Sequence, residues 1–428
     1  MSIRKKIRTA FRNYRTTVQL GLFLALRDIK RANIWTTVLI TLVMTLTFLN
    51  LIVIRGILVG LTQGSVQANR DKYTGTVFIS ALDKKQYIED SHLPVGIAKN
   101  IQLVEALSAR YTAAARVEAD YKIPTPRGED ANRINATIVG INPADEEATT
   151  RLSKSLIQGS YLDSGMRNQI LVGASLLKKY SSVPGTGSSL LKNADVGTTV
   201  RLTVNNNIKD VTIIGVLKAK VQTIDSRIFM LDSELRPMID RNDFNVNEIA
   251  IKTKSPADDK LLQSILLGNE IDLLAKVQTW EEAQPQFLRD ISATFSLLGD
   301  LIGSIGLVVA SITIFIVIFV NAITRRKYIG ILKGIGINGL VIEISYVFQS
   351  LFYAAGGTLI GMLIVYGLIV PYFSKNPINF PFSDGIFVAD IQSVLVRILL
   401  LYSATVVAGY VPARIVVKQR TLDAILGR

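Results

Sequence analysis

The chain has 428 residues, 49% of them hydrophobic, a positive mean hydropathy and no cysteine. That hydropathy is too high for an ordinary soluble protein, and the length allows two or more domains. Lack of Cys excludes a disulfide framework, a thiolate metal site and a Cys nucleophile, and the single histidine, His92, argues against a His-rich metal site or a Ser-His-Asp triad.

In chain order, residues 1–33 form a basic, amphipathic segment ahead of the first long apolar stretch, 34–61. That stretch is too long, and lacks the small-residue cleavage site, for a removed signal peptide, so it reads as a retained span. Residues 62–290 read as a mixed α/β domain. β-rich runs at 74–80, 135–141, 169–173, 198–204, 211–217 and 247–253 are separated by Gly, Pro, Asn and Asp turns. Helical periodicity is expected at 97–111 and 257–267. The polar "IPTPRGEDANR" (123–133) marks entry into an inserted subdomain, about 126–222. "GTGSS" (185–189) has no following Lys and reads as a loop, and no Walker-type phosphate loop occurs in the chain. "ADEEATT" (144–150) lacks calcium-loop spacing and reads as a solvated helix start. No catalytic or metal site is expected.

A stalk and second span follow at 291–322, with the helical pattern running into the membrane after Pro285. A short basic segment occupies 323–340, a third span 341–370, a loop 371–392, and a fourth span with its tail 393–428. Gly357 and Gly361 in the third span have the spacing that lets helix backbones approach in lipid, either within the chain or against a partner subunit. Asp300, Glu343 and Arg397 lie near span ends, where they can snorkel or pair. The fold expected is an α-helical membrane protein with four transmembrane helices and a large mixed α/β extracytoplasmic domain between spans one and two.

Charge orients it. Residues 1–35, 321–340 and 412–428 together hold 17 Lys/Arg against 2 acidic residues, whereas the remainder holds 31 against 32. Four spans place all three basic segments on one side, which the positive-inside rule makes the cytoplasm. Both termini are therefore expected inside. Basic residues that flank spans, without interleaved aromatics, do not make a nucleic-acid groove.

The segment "TRRKYIGILKGIGING" (324–339) sets Ile329, Leu332, Ile335 and Gly336 at spacings expected of a short surface helix. Its residues closely resemble the coupling-helix signature between the second and third spans of FtsX-like/MacB-like ABC transporter permeases. Other segments resemble the same family in the same order: "LALRDIKRAN" (24–33), "IVGINPADEEATTRLSKSLIQGSYLDSGMRNQILVGASLLKKY" (138–180), "ADVGTTVRLTV" (194–204), "KDVTIIGVLK" (209–218) and "GYVPARIVVKQRTLDAIL" (409–426). Tyr328 stands where the motif commonly has Glu, "GIN" (336–338) replaces "GAS", and Ala424 replaces a tail proline.

The resemblance implies a permease subunit, separate from its ATPase, in the bacterial inner membrane. Arg325, Arg326, Lys327, Tyr328, Ile329, Gly330, Leu332, Lys333 and Gly336 would be the ATPase-coupling residues. Partners implied are a cytoplasmic ABC ATPase dimer, a second permease chain (identical or a paralogue), membrane lipid, and an extracytoplasmic adaptor or substrate protein. No cofactor is expected on this chain; ATP and Mg²⁺ would sit on the ATPase. The implied action is of the MacB or lipoprotein-release type, ATP-driven export or extraction at the outer face. The alternative is FtsX-like signalling to an extracytoplasmic partner such as a cell-wall hydrolase.

Overall fold

The computed structural model describes residues 3–123, 131–180, 190–380, 383–385 and 387–419. The loop "GTGSS", most of 123–133, and the tail from 420, with Ala424, lie outside the described residues. Helices α1 (Ile3–Arg31) and α2 (Ile34–Asn69) open the chain, and a π turn, Arg70–Thr74, leads into β1 (Val77–Ala81). Then come α3 (His92–Asn100), β2 (Val104–Glu118), β3 (Arg133–Ile141), α4 (Pro143–Thr150), β4 (Leu156–Gly159), β5 (Gln169–Gly173), β6 (Thr199–Val204) and β7 (Asn207–Leu217). The turn α5 (Gln222–Asp225), β8 (Arg227–Leu231), α6 (Asp232–Met238), β9 (Glu248–Thr253), α7 (Asp259–Gly268) and β10 (Ala275–Thr279) follow. Next are α8 (Gln286–Thr324), α9 (Arg326–Gly334), α10 (Gly339–Ile364), α11 (Val370–Lys375), the short strands β11 (Ile378–Phe380) and β12 (Ser383–Gly385), and α12 (Ile391–Val417).

The chain divides into two compact units. One comprises Met1–Leu61, Ser292–Ile378 and Gly385–Arg428; the other is Thr62–Ile291 with Asn379–Asp384. Among the described residues, four helical stretches are long and apolar enough to span a membrane: Ile34–Thr74, Gln286–Thr324, Gly339–Lys375 and Ile391–Val417.

In the helical unit, small residues set how closely the helices meet. Lipid supplies no hydrophobic drive between apolar helices, so their association relies on close packing. Gly357 and Gly361 of α10 lie against Met44 and Phe48 of α2, where any Cβ would overlap those side chains. Gly299, Gly303 and Gly306 of α8 lie against Arg55, Leu51 and Asn50 of α2. Ile40, Met44, Phe48, Ile314, Ile318, Tyr346, Tyr353 and Leu401 belong to the shared core.

In the α/β unit, the 15-residue β2 serves two sheets. Its first half pairs with β9, giving the antiparallel order β10–β1–β9–β2. Its second half pairs with β3 on one edge and β6 on the other. From there β3 pairs with β8, β8 with β5, β5 with β7, and β7 with β6. That circuit closes a six-stranded barrel, which leaves these strands no open edge. Ile138, Ile170, Val172, Val200, Leu202, Val211, Ile213 and Ile228 are buried in its core. The strands inserted between the two halves of the open sheet run from Arg133 to Leu231.

Two local expectations are overturned. The helix expected at 97–111 ends at Asn100, and 104–111 is strand, because pairing with β9, taken over by β3 from Tyr111, overrides the helix propensity of its alanines and leucine. Residues 144–150 are helical, but Glu146 is 1% exposed and ion-paired to Arg110, so this is no solvated helix start. Strands β2, β4, β8 and β10 have no counterpart among the runs read from sequence.

Candidate functional site

The basic segment forms α9, held at both ends and along one face. At its start, the Arg325 guanidinium lies 3.0 Å from the Asp28 carboxylate on α1. Gln349 of α10 donates to the same carboxylate at 3.2 Å. At its end, Lys333 donates to the Val417 carbonyl at 2.8 Å and the Gln419 carbonyl at 2.9 Å. A cation there satisfies carbonyls that the end of α12 leaves without helical partners.

The stop is set by "GIGIN". Gly336 has φ +92°, the left-handed conformation that side chains with a Cβ resist. The Gly336 amide donates to the Lys333 carbonyl and the Ile337 amide to the Leu332 carbonyl, each at 3.0 Å. These are the two bonds of a Schellman cap, and Leu332 and Ile337 both pack on the core, as such caps favour. Asn338 then starts α10 by accepting from the Leu340 amide at 3.0 Å. One glycine and one asparagine thus end one helix and start the next.

The helix has two apolar faces. Ile329 (3% exposed), Gly330 and Leu332 are buried against the bundle. Tyr328, Ile331 and Ile335 are exposed at 41%, 53% and 71%, with Lys327 exposed beside them. Spacings of three and four put these apolar residues on one side. The face expected from sequence, Ile329–Leu332–Ile335, is therefore split, and its first two members hold the helix down. Arg325 pairs with Asp28 instead of standing free at a lipid surface. Arg326 is half-buried at the start of the helix.

Residues that sequence reasoning missed are Ile331 on the exposed face and Asp28 behind it. Ile331 is legible in retrospect as the residue three after Tyr328. Asp28 is not, because its partner lies almost 300 positions away.

Bulky apolar side chains left outside a firmly packed short helix suit insertion into a groove on a partner protein. Among the described residues no cluster of His, Cys, Asp or Glu is placed to hold a metal ion.

Comparison with known proteins locates two family matches. Residues 37–266 match the MacB-like periplasmic core domain, and residues 301–420 match the FtsX-like permease C-terminal region. No curated protein matches the chain significantly. Among solved structures, the periplasmic region of MacB from Actinobacillus actinomycetemcomitans aligns at 14% identity and TM-score 0.33, covering 50% of this chain and 92% of that one. The extracellular domain of the noncanonic ABC-type transporter YknZ from Gram-positive bacteria aligns at 14% identity and TM-score 0.30, covering 47% and 98%.

Proposed function

The chain belongs to the family of FtsX-like/MacB-like ABC transporter permeases, and we propose that it is a separate permease subunit that exports or extracts a substrate at the outer face of a bacterial inner membrane. Both termini and α9 would face the cytoplasm, and the α/β unit would lie outside. ATP and Mg²⁺ would be held by a cytoplasmic ABC ATPase dimer, and a second permease chain would complete the assembly. Nucleotide binding and release would shift the permease between conformations in proportion to their differential affinity for each. The match to a MacB-like core over most of the α/β unit supports the exporter reading over FtsX-like signalling.

The observation that carries the docking part of this reading is the exposed row Tyr328–Ile331–Ile335 on a helix held at both ends. A helix free to move would absorb an ATPase stroke, whereas one tied to α1, α10 and α12 passes it on. The test separates the two faces. Ile331→Asp should leave expression and folding unchanged and abolish co-purification with the cognate ATPase. Leu332→Ala should destabilise the purified permease by about 2–5 kcal/mol, the usual cost of truncating a buried leucine. Retained binding and full ATPase stimulation in Ile331→Asp would refute docking through this face.

A further inference from the structure

Three charged side chains gather at the end of the helical unit remote from α9. Arg55 follows Ile34 by 21 residues on α2, and Arg397 precedes Val417 by 20 on α12. At ~1.5 Å per residue each lies roughly 30 Å along its helix from the α9 end, about one hydrocarbon thickness. Asp300 precedes Thr324 by 24 residues on α8, or roughly 36 Å. All three therefore sit at headgroup level in the far leaflet. Aromatic residues mark the same level: Phe373 stacks on Phe387 at 5.7 Å, and Tyr366 donates to the Ala389 carbonyl at 3.2 Å. The adjoining Val388 amide donates to the Gly56 carbonyl at 3.1 Å, one residue from Arg55. Tyrosine, with an apolar ring and a polar hydroxyl, favours the membrane–water boundary.

Within ion-pairing distance of one another, these three charges do not balance. Arg397, 9% exposed, donates through Nη2 to Asp300 Oδ1 at 2.8 Å and through Nη1 to the Ser393 carbonyl at 3.0 Å. Arg55, 27% exposed, has Nη1 3.5 Å from the same oxygen and donates through Nη2 to Ser296 Oγ at 3.3 Å. One carboxylate oxygen serves two guanidiniums, leaving a surplus positive charge on the looser partner, Arg55. An uncompensated cation at the edge of hydrocarbon is costly, so a counter-anion from outside the chain is favoured. Asp300 is 56% exposed, and its Oδ2 accepts no hydrogen bond among the described residues. That carboxylate would repel a purely anionic headgroup and attract an ammonium.

We propose that Arg55, Asp300 and Arg397 form a binding site for a zwitterionic phosphoethanolamine lipid headgroup. Its phosphate pairs with the Arg55 guanidinium, and its ammonium donates to Asp300 Oδ2. Arg397 positions the carboxylate. The membrane level rests on the permease reading, but lipid binding does not require an ATPase, so it can fail or stand independently of the docking face.

The experiment uses the purified full chain in detergent, exchanged against mixed micelles, with bound lipid counted by native mass spectrometry. Wild type should retain phosphatidylethanolamine over phosphatidylglycerol by about tenfold, the scale of one charge-assisted hydrogen bond. Phosphatidylcholine, whose quaternary ammonium cannot donate, should be retained less than phosphatidylethanolamine. Asp300→Asn should reverse the preference toward phosphatidylglycerol, because two arginines then face the lipid without a carboxylate. Arg55→Gln should lose the enrichment, and Arg55→Lys should recover part of it, which a merely misfolded variant would not. Soluble phosphoethanolamine at equal concentration should not displace the lipid. Equal retention of the two lipids by wild type, an unchanged preference in Asp300→Asn, or displacement by the soluble headgroup would overturn the proposal.

Discussion

Within the α/β unit, Arg110 on β2 carries a fully buried guanidinium. Its Nη2 and Nε donate to the two Glu146 carboxylate oxygens at 2.7 and 2.8 Å, and Ser108 and Thr150 donate to the same carboxylate. Among the described residues Nη1 has no hydrogen-bond partner, but the guanidinium lies 4.7 Å from the Tyr73 ring centre, where the π face offsets part of that loss. Burial alone would raise the Glu146 pKa; the Arg110 charge and the hydrogen bonds outweigh it and hold the carboxyl below its usual range. A carboxyl depressed in the folded state contributes its full stability above the unfolded pKa of about 4.3 and loses it as pH falls through the folded value. Glu146→Gln should therefore cost about 3–5 kcal/mol near neutral pH, the usual result of stranding one buried charge. In a fragment of residues 62–291, melting midpoints of wild type and variant should converge as pH drops below about 4. A constant gap across that range would rule out the pair as the source.

At the scale of the element, α9 is a nine-residue helix whose end depends on one backbone conformation. Any residue with a Cβ meets left-handed strain at position 336, even though nothing among the described residues crowds a side chain there. Gly336→Ala should cost about 1 kcal/mol, so opening at the cap becomes roughly fivefold more frequent. Hydrogen exchange at the Ile337 amide should accelerate by that factor, and Gly336→Asn by less, since Asn tolerates the conformation. Unchanged exchange in the alanine variant would contradict the cap. Gly330 behaves differently: it is buried on the inner face, so a large residue there would strike the bundle before reaching any partner.

For the whole molecule, the uneven distribution of charge predicts orientation. In this Cys-free chain, Lys254→Cys on the α/β unit should react with an impermeant maleimide on intact cells. Lys327→Cys on α9 should react only after permeabilisation. Both positions are exposed, so access and not burial decides the result. The reverse pattern would invert the proposed topology and remove α9 from an ATPase.

What the sequence determined by itself was whatever depends on runs of neighbouring residues. Twenty-odd apolar residues in succession announce a spanning helix because a bilayer tests only length and hydropathy, and four such stretches are present among the described residues. The strand at Gln169–Gly173 was legible for a similar reason, as a β-branched apolar run between turn formers. The motif at 324–339 identified the family, which depends on residue order and not on folding. Tertiary structure decided everything that depends on partners distant in sequence. The alanine-rich β2 becomes a strand only because β9, β3 and β6 pair with it. "ADEEATT" looks like surface until Arg110 arrives from another strand to neutralise Glu146. The coupling residues divide into an inner and an outer face only once α9 is laid on α1, α10 and α12, because amphipathic spacing shows which residues share a side but not which side is covered.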